Sequence, residues 1–513
     1  MKSLAMGVLL AGTLAGTAGG ASAQDRAAFG AAMDAFASRA MQRVEAAPGL
    51  AVAVVDRDGL VHAAGFGVAD VATGAAVTTD TQFYIASATK SFTALSFAAM
   101  AHRGEVDLDA PLADWAPPSG VPSDIAARIT LTDLLSHRSG VDNAPIAFRL
   151  AYSGDWTPEV LWRLTAETRP RDTPYGHFVY ANAGYNLATL LAERRWGRDW
   201  REMVEDEVLT PLGMTATTAR IDEARASGAV VAVGHFGRIP SQPERSPLQK
   251  TDATMQSAGG LISTAHDMAL WLEAQINDGR VGGRQVLPAG LVASTHVSRV
   301  GQEATFGPYV RTGYGLGWQV GRYGDDVLIH HFGNFSGSRA HVSFMPQRRL
   351  GVAVMVNEDA FAGDLADVVA NYAYDWFAGL PDIDAVYDAR LDALVVERDR
   401  RRTGITGAVE ARGKRPRTLS LPNASYVGDY VNPAYGTLTI RETGERLSVA
   451  IGVQQVLADY LTEPEGLRVE LTPFRGEGVV FKLDADGRPA SLVRTQCSSE
   501  TRAWRAGPPS GRV

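Results

Sequence analysis

The sequence predicts an α/β protein in which an antiparallel sheet is flanked by helices, carries an all-helical insertion and is followed by a small all-β, barrel-like domain. Three observations lead to this class. Apolar strand-like runs joined by turns occur near residue 50 and again near residue 340, each group beside an amphipathic helix. Helical runs separated by loops rich in Pro, Gly, Asp and Ser lie between them. Short β runs with tight turns follow residue 418.

The N-terminal elements are a helix and a hairpin. Residues 25–46 carry apolar side chains at helical spacing, and Pro48-Gly49 ends the run. Residues 50–55 and 60–68 are apolar strands around a turn at 56–59, which predicts an antiparallel hairpin. A short strand-like approach then leads into a helix that starts near Ser87.

The middle of the chain, about residues 100–310, is predicted to be the helical insertion. Its clearest helices are a capped segment at 129–140 with a Gly stop, a segment at 184–194 directly after a loop, and a segment that opens at 263. The loops between them are rich in helix-breaking residues.

Strands return after residue 327. Residues 327–332, 341–345 and 351–356 are three short strands, and residues 365–380 form an amphipathic helix. Together with the first hairpin they predict a five-stranded antiparallel sheet with the terminal helices on one face.

The domain organisation follows from these elements. We expect a signal peptide at 1–23, a main domain at 24–381, a charged linker at 382–417 and the β-rich domain at 418–513. The linker is predicted to be helical with a solvated face. Its basic run at 398–402 is interleaved with acids, which argues against a nucleic-acid tail.

Composition and the N-terminus indicate an exported globular protein. The 513 residues are 45% hydrophobic and 21% charged, with a formal net charge of −8 and no basic face of the kind that nucleic acids require. Lys2, an apolar run at 4–14 and the small residues at 21–23 are typical of a cleaved signal sequence, which makes Gln24 the mature start. No later apolar run reaches about 18 residues, so we expect a periplasmic or secreted protein without stable membrane insertion.

Several chemistries are excluded by residue counts and spacing. The single cysteine, Cys497, excludes intramolecular disulfides and cysteine-rich metal sites, and we interpret it as a buried small hydrophobe. The ten histidines show no His-Glu-x-x-His spacing, and no Gly-x-Ser-x-Gly elbow occurs. The sequence therefore predicts no metal and no cofactor.

Ser87 and Lys90 form the first candidate site. If a helix starts near Ser87, the two side chains share a face, with Cβ atoms about 5–6 Å apart. Serine is a poor nucleophile without a proton acceptor, and the unpaired N–H groups of a helix start suit an oxyanion. The spacing alone is a weak signal, because Ser-x-x-Lys arises by chance about once in a chain of this length.

Two further motifs follow in order. Tyr180-Ala181-Asn182 lies in a loop before a helix, and His331-Phe332-Gly333 ends a strand. Each residue alone has a simpler interpretation: a loop-packing tyrosine, a helix-cap asparagine and a strand-end histidine. The three motifs together are flanked by the phrases LLSHRSG (134–140), PLGMT (211–215), AGGLIST (258–264) and YGLGW (314–318).

This set resembles the penicillin-recognising serine hydrolases, in particular the group of class C β-lactamases, D-alanyl-D-alanine carboxypeptidases, D-aminopeptidases and related esterases. The resemblance covers about residues 30–380 and implies a β-lactamase-like fold for the main domain. The β-rich tail resembles the lipocalin-like domain attached to some D-peptidases of this group.

The resemblance implies the roles of the site residues. Ser87 would be the acylated nucleophile. Tyr180, as a phenolate or proton relay, would take the Ser87 proton and later activate water, and Lys90 would hold a charge beside both oxygens. Free Tyr and Lys have pKa values of about 10 and 10.4, so we expect each to lower the pKa of the other. Asn182 would bond the substrate amide, and the N–H groups of Ser87 and of the residue after Gly333, Asn334, would form the oxyanion hole.

The third motif departs from the β-lactamases, which usually carry Lys where this chain has His331. A largely neutral imidazole is a weaker carboxylate anchor than Lys at pH 7. We therefore expect peptides or esters to be turned over better than penicillins. His137 and His266 are interpreted as structural.

Three functions remain open. The first is an exported serine hydrolase that forms an acyl-enzyme on Ser87 and cleaves amide bonds of small peptides, D-residue peptides included. The second is a carboxylesterase that uses the same site. The third is a catalytically silent peptide- or peptidoglycan-binding module, against which the complete Ser/Lys/Tyr set argues. The expected partner is a small peptide, amide or ester substrate, and the sequence carries no signal for an oligomeric state.

Overall fold

The computed structural model describes residues 23–115, 117, 121–170, 175–239, 242–361, 363–472, 474–495 and 503–506. The predicted signal peptide, up to residue 22, and Cys497 lie outside these residues. The helices are α1 (Ala23–Val44), α2 (Thr89–His102), α3 (Ser123–Arg128), α4 (Leu131–Leu135), α5 (Ala144–Phe148), α6 (Pro158–Ala166), α7 (Asn182–Trp196), α8 (Trp200–Val204), α9 (Thr210–Leu212), α10 (Ile221–Ala226), α11 (Ala265–Ile276), α12 (Leu291–His296), α13 (Gly363–Phe377) and α14 (Ile383–Gly413).

The strands follow the same chain order. Up to residue 356 they are β1 (Gly49–Asp56), β2 (Gly59–Asp70), β3 (Ala75–Ala76), β4 (Phe83–Tyr84), β5 (Val141–Asp142), β6 (Arg169–Pro170), β7 (His235–Ile239), β8 (Gln242–Arg245), β9 (Ile262–Ser263), β10 (Arg280–Val281), β11 (Arg284–Gln285), β12 (Val300–Phe306), β13 (Tyr309–Tyr314), β14 (Gln319–Tyr323), β15 (Asp326–Phe335), β16 (Ser338–Met345) and β17 (Leu350–Val356). After it they are β18 (Gly428–Asn432), β19 (Gly436–Thr443), β20 (Arg446–Ile451), β21 (Gln454–Leu457), β22 (Asp459–Tyr460), β23 (Gly466–Thr472), β24 (Arg475–Leu483), β25 (Pro489–Arg494) and β26 (Trp504–Ala506).

The main sheet is antiparallel and has nine strands within the described residues, in the order β12-β13-β14-β15-β16-β17-β1-β2-β3. The predicted five strands are β15, β16, β17, β1 and β2, which lie side by side. The strand count of five was wrong, because β12 to β14 extend one edge and the short β3 extends the other. The strands β12 to β14 each contain one glycine and polar residues that are exposed or half-buried, so their apolar pattern is too weak to identify them as strands.

Strand alternation divides the core between the two faces of the sheet. Along β1, Leu50, Val52 and Val54 point to the face covered by α1 and α13, as predicted for the terminal helices. The intervening Ala51, Ala53 and Val55 belong to the other core, which α2 and α11 complete. Both cores are buried, so this fold places α2 against the sheet as a rigid element.

The insertion is mainly helical, with α3 to α8 around a third apolar core, while α11 and α12 belong to the core beneath the sheet. Short two-stranded ribbons, β5–β6, β7–β8 and β10–β11, interrupt it, and β12 begins within its predicted range. The prediction of an all-helical insertion is corrected on this point. Ribbons of two to five residues are too short to show a period of two in the sequence.

The C-terminal unit is a nearly closed barrel-like sheet, as the sequence predicts. Its strand order is β21-β20-β19-β18-β26-β25-β24-β23-β22. The two outer strands, β21 and β22, are consecutive in the chain with only Ala458 between them, and β21 also contacts β23. Apolar residues from all around the sheet line the interior, which contains a cavity of about 280 Å³.

Helix α14 connects the two parts and packs along the main one. Tyr387 and Leu391 are fully buried against the α1–α13 core. Farther along, Arg398 donates to the carbonyl oxygen of Val44, and Arg402 donates to those of Glu45 and Gly237. The domain division at 382–417 stays a prediction. None of the helices in the described part of the chain combines the length and the hydrophobicity needed to cross a bilayer.

Candidate active site

The elbow before α2 presents Ser87 at the edge of the main sheet. After β4, which pairs with β9, residues Ala86–Ala88 form a 3₁₀ turn and α2 begins at Thr89. Ala86 has a φ of +45°, a conformation that costs a non-glycine residue roughly 1–2 kcal/mol. The surrounding packing holds this strained turn, so the Ser87 side chain has a fixed position at the helix start.

Lys90 lies one helical turn from Ser87 and is 0% exposed. Its Nζ atom donates to Ser87 Oγ at 3.2 Å, to Asn182 Oδ1 at 2.8 Å and to the Ala258 carbonyl oxygen at 2.6 Å. An ammonium group has three N–H donors, and all three are used. Burial lowers the pKa of Lys90 well below its usual value.

Tyr180 lies beside both Ser87 and Lys90. Its ring centroid lies 4.9 Å from Lys90 Nζ, and its hydroxyl bonds the Ser87 side chain while the ring remains 39% exposed. Burial raises the pKa of the Tyr180 hydroxyl, and the bond to Ser87 opposes this rise only in part. The prediction that Tyr and Lys lower each other's pKa is therefore wrong for Tyr180. Removal from water disfavours the charged form of both groups, so their pKa values move in opposite directions.

His331 of β15 is 3% exposed and neutral. Its Nδ1 donates to the Phe332 carbonyl oxygen at 2.9 Å, and its Nε2 accepts from the Tyr314 hydroxyl at 3.1 Å. This tautomer follows from the partners, because a carbonyl oxygen can only accept. Burial, and then the charge of Lys90, lower the pKa of His331 well below 6.5, which agrees with the prediction of a largely uncharged imidazole.

Gly333 and Asn334 continue β15 beside the elbow. A Cβ atom at Gly333 would overlap the carbonyl oxygen of Ile85, so only glycine allows the strand to approach the turn this closely. Asn334 follows and is exposed. Strand β14 pairs with β15 only as far as His330, so in the described part of the chain no strand covers residues 331–335 on that edge.

The two histidines interpreted as structural support neighbouring segments. His137 is buried, accepts from the Ala181 N–H at 3.2 Å and stacks 4.4 Å from the Tyr180 ring. It therefore holds the loop that carries Tyr180. His266 lies at the exposed start of α11, 3.6 Å from Asp267. In the part of the chain that the structure describes, no group of three His, Cys, Asp or Glu side chains is arranged to hold a metal.

Arg311 of β13 is a cation near the site that sequence reasoning missed. Its guanidinium lies over the rings of Phe306 at 4.6 Å and Phe332 at 5.7 Å. Among the described residues it forms no ion pair with a carboxylate. After burial and Lys90, its charge contributes to the lowered pKa of His331. Strand β13, which carries Arg311, has too weak an apolar pattern to be predicted, so no sequence signal identifies this residue.

A family model described as Beta-lactamase matches residues 36–373, about two thirds of the chain. The chain belongs to the beta-lactamase family. Members of this family are serine hydrolases, and the matched range includes every residue of the geometry above.

Relatives of this beta-lactamase family member include a hydrolase and a carboxypeptidase/endopeptidase. The unguisins hydrolase of Aspergillus violaceofuscus is 27% identical over 435 residues, which cover 77% of this chain and 73% of the relative. The Escherichia coli D-alanyl-D-alanine-carboxypeptidase/endopeptidase AmpH is 26% identical over 290 residues, 54% of this chain and 71% of the relative. The octameric penicillin-binding protein homologue of Pyrococcus abyssi has the same fold, with a TM-score of 0.57 and 20% identity over 93% of this chain and 99% of that one.

Proposed function

We propose that this protein is an exported serine hydrolase that cleaves amide bonds of small peptides through an acyl-enzyme on Ser87. The observation that carries the proposal is the contact between the buried Lys90 Nζ and Ser87 Oγ at 3.2 Å. A buried amine with a lowered pKa beside a hydroxyl is the arrangement that activates a serine. The carboxypeptidase/endopeptidase name of AmpH supports an amide substrate and makes D-residue peptides the first to test.

In acylation, Ser87 Oγ attacks the substrate carbonyl and its proton passes to the neutral amine of Lys90. Tyr180, whose pKa burial raises, keeps its proton in the free enzyme and delivers it to the leaving nitrogen. Lys90 then returns a proton to the Tyr180 oxygen. The two groups exchange one proton, so they titrate as a coupled unit.

The substrate carbonyl is polarised by backbone donors. The first N–H groups of a helix have no intrahelical acceptor, so the N–H of Ser87 is available to an oxyanion, and the N–H of Asn334 is the second donor. Asn182 has its Oδ1 committed to Lys90. Its amide N–H₂ group is therefore the part that donates to the substrate's peptide carbonyl.

Deacylation reverses the proton transfer. A water molecule attacks the Ser87 ester, its proton passes to the Lys90–Tyr180 unit, and Ser87 recovers the proton as it leaves. The same steps hydrolyse an ester more easily than an amide, so carboxylesterase activity is expected on activated esters. Export to the periplasm or medium rests on the basic, apolar and small-residue order of the first 23 residues.

The experiment is intact-mass detection of a covalent adduct with a fluorophosphonate. We expect one adduct on the wild-type protein, none on Ser87→Ala, and one on the matched control Ser96→Ala, a buried serine of the same helix. Ser87→Ala should lose hydrolysis of every substrate while its thermal unfolding changes little. A wild-type protein that binds peptides but forms no adduct would be the silent binding module instead. Turnover of esters without any peptide would make it a carboxylesterase.

A further inference from the structure

We infer that the groove beyond Asn334 is a substrate subsite, which binds the residues on the acyl side of the scissile amide, and that the C-terminal unit takes part in peptide recognition through it. This inference rests on the proposed function of Ser87. It adds the substrate class: peptides with several residues before the cleaved bond.

A peptide backbone has a place to bind along β15. Residues 331–335 pair with β16 on one edge, and among the described residues no strand pairs with their other edge. The elbow packs over the face of β15, because the Cβ direction of Gly333 meets the Ile85 carbonyl oxygen. An exposed strand edge offers backbone N–H and C=O groups that an extended peptide can pair with. A carbonyl at Ser87 therefore lies opposite Gly333 and Asn334, and the substrate chain continues along the edge in both directions.

In one direction the edge leads into a groove of about 410 Å³, within the size range of ligand sites. Asn334, Phe335 and Ser336 form its start. Ile405 and Arg401 of α14 form one wall, and Phe474 of the C-terminal unit contributes to the groove as well. Aromatic and aliphatic side chains next to polar groups suit a peptide, which has both apolar side chains and a polar backbone.

Two aromatic residues fix the groove relative to the site. The Phe474 ring contacts those of Phe236 at 4.8 Å and Phe361 at 5.7 Å, so the C-terminal unit docks on the main part here. The Tyr152 ring lies 5.8 Å from Phe335, and its hydroxyl adds to the effect of burial in raising the pKa of Tyr180. Tyr152 thus borders both the groove and the catalytic groups.

The other direction along the edge leads to His331 and Arg311. Arg311 has no carboxylate partner in the described part of the chain, so this end favours an anion. A peptide with a free carboxyl end places that carboxylate towards Arg311. Its acyl side then extends past Asn334 into the groove, which sets the polarity of binding.

The test is a length series on the full chain. Wild-type kcat/KM is measured on peptides ending in D-Ala-D-Ala or L-Ala-L-Ala, with one to four residues on the acyl side of the cleaved bond. We expect at least a tenfold rise as the acyl side grows from one to three residues. The same elongation on the leaving-group side should give no rise.

Ile405→Trp fills the groove, and Thr403→Trp makes the same change at an exposed position of the same helix. We expect Ile405→Trp to remove the length-dependent rise, and Thr403→Trp to keep both this rise and the wild-type rate of p-nitrophenyl acetate hydrolysis. A flat length series on wild-type protein, a rise from leaving-group elongation, or a full rise in Ile405→Trp would overturn the subsite.

If Ile405→Trp fails to fold, the wild-type length series alone tests the subsite. Absence of a Ser87 adduct would overturn the proposed function. If the adduct forms but kcat/KM does not change with peptide length, only the role of the groove as a subsite is overturned.

Discussion

At the scale of single residues, the protonation state of Lys90 controls the site. As an ammonium group, Lys90 donates to Ser87, Asn182 and Ala258. As a neutral amine it has two N–H donors and one lone pair. It can keep the bonds to Asn182 and Ala258 and accept the Ser87 hydroxyl proton, so the same three contacts serve both states. Loss of the Lys90 proton therefore activates Ser87 without rearranging its neighbours.

The pH dependence follows from the lowered pKa of Lys90. We expect kcat/KM for a neutral ester to rise with pH as Lys90 loses its proton, with an inflection well below the usual lysine value. Between the folded and unfolded pKa values the unfolded chain binds more protons, so the free energy of unfolding also rises with pH there. Melting temperatures of wild type and Lys90→Met across this range measure it. A difference between the two proteins that stays constant with pH would contradict the lowered pKa.

Arg311 changes the expectation drawn from His331 alone. His331 is neutral, but Arg311 supplies a positive charge at the same end of the site. We expect Arg311→Gln to lower kcat/KM about 10- to 100-fold for peptides with a free carboxylate, since a bond to a charged group contributes about 1.5–3 kcal/mol. Peptides with an amidated end should change little. Arg322→Gln, an exposed arginine on the neighbouring strand β14, is the control. Equal losses on both kinds of peptide would exclude Arg311 as the anchor.

At the scale of elements, the site depends on the close approach of strand β15 to the elbow. Gly333 contacts the Ile85 carbonyl, and a Cβ atom at Gly317 would overlap the backbone of α2 at Lys90 and Ser91. The two glycines therefore allow the segment before β14 to contact the first turn of α2, and strand β15 to contact the elbow that precedes it. This approach sets the position of Ser87 relative to the oxyanion donors, and a shift of about 1 Å there is costly to catalysis.

We expect Gly333→Ala to reduce acylation by at least a hundredfold, because the added methyl group displaces the elbow from β15. The rate of adduct formation with a fluorophosphonate measures the effect directly. Gly301→Ala is the matched control, since it lies in strand β12 with open space around its Cβ direction. A Gly333→Ala protein that acylates at the wild-type rate would show that the elbow can adjust freely.

At the scale of the whole molecule, α14 connects the two parts and also packs against the main one. Its first turns bury Tyr387 against Phe36 at 5.3 Å and Tyr372 at 5.1 Å between ring centroids. Farther on, Arg398 and Arg402 bond carbonyl oxygens at the end of α1 and in β7. The helix therefore contributes to the core of the main part, although the sequence made it a candidate linker.

Two truncated chains can distinguish whether α14 is only a linker or also stabilises the main part. A chain that ends after residue 413 keeps α14, and we expect it to fold with a melting temperature close to that of the full-length main transition. A chain that ends after residue 381 exposes the apolar surface that Tyr387 and Leu391 cover, and its melting temperature should fall strongly, since removing one buried aromatic side chain already costs about 3–5 kcal/mol. Calorimetry of both chains measures this. Equal stability of the two would support residues 382–417 as a plain linker.

The sequence by itself determined the fold class and selected the candidate site residues. Short apolar runs identified β1 and β17 as strands, and Ser-x-x-Lys spacing predicted that Ser87 and Lys90 share one side of a helix start, because both patterns depend only on local sequence. The tertiary structure alone decided the directions of the pKa shifts of Lys90 and Tyr180, the cation at Arg311 and the groove behind Asn334. These depend on burial and on contacts between segments far apart in the chain, such as Lys90 with Ala258 or Phe236 with Phe474. Burial and long-range contacts of this kind produce no periodic pattern and no fixed residue spacing that could be recognised in a single sequence.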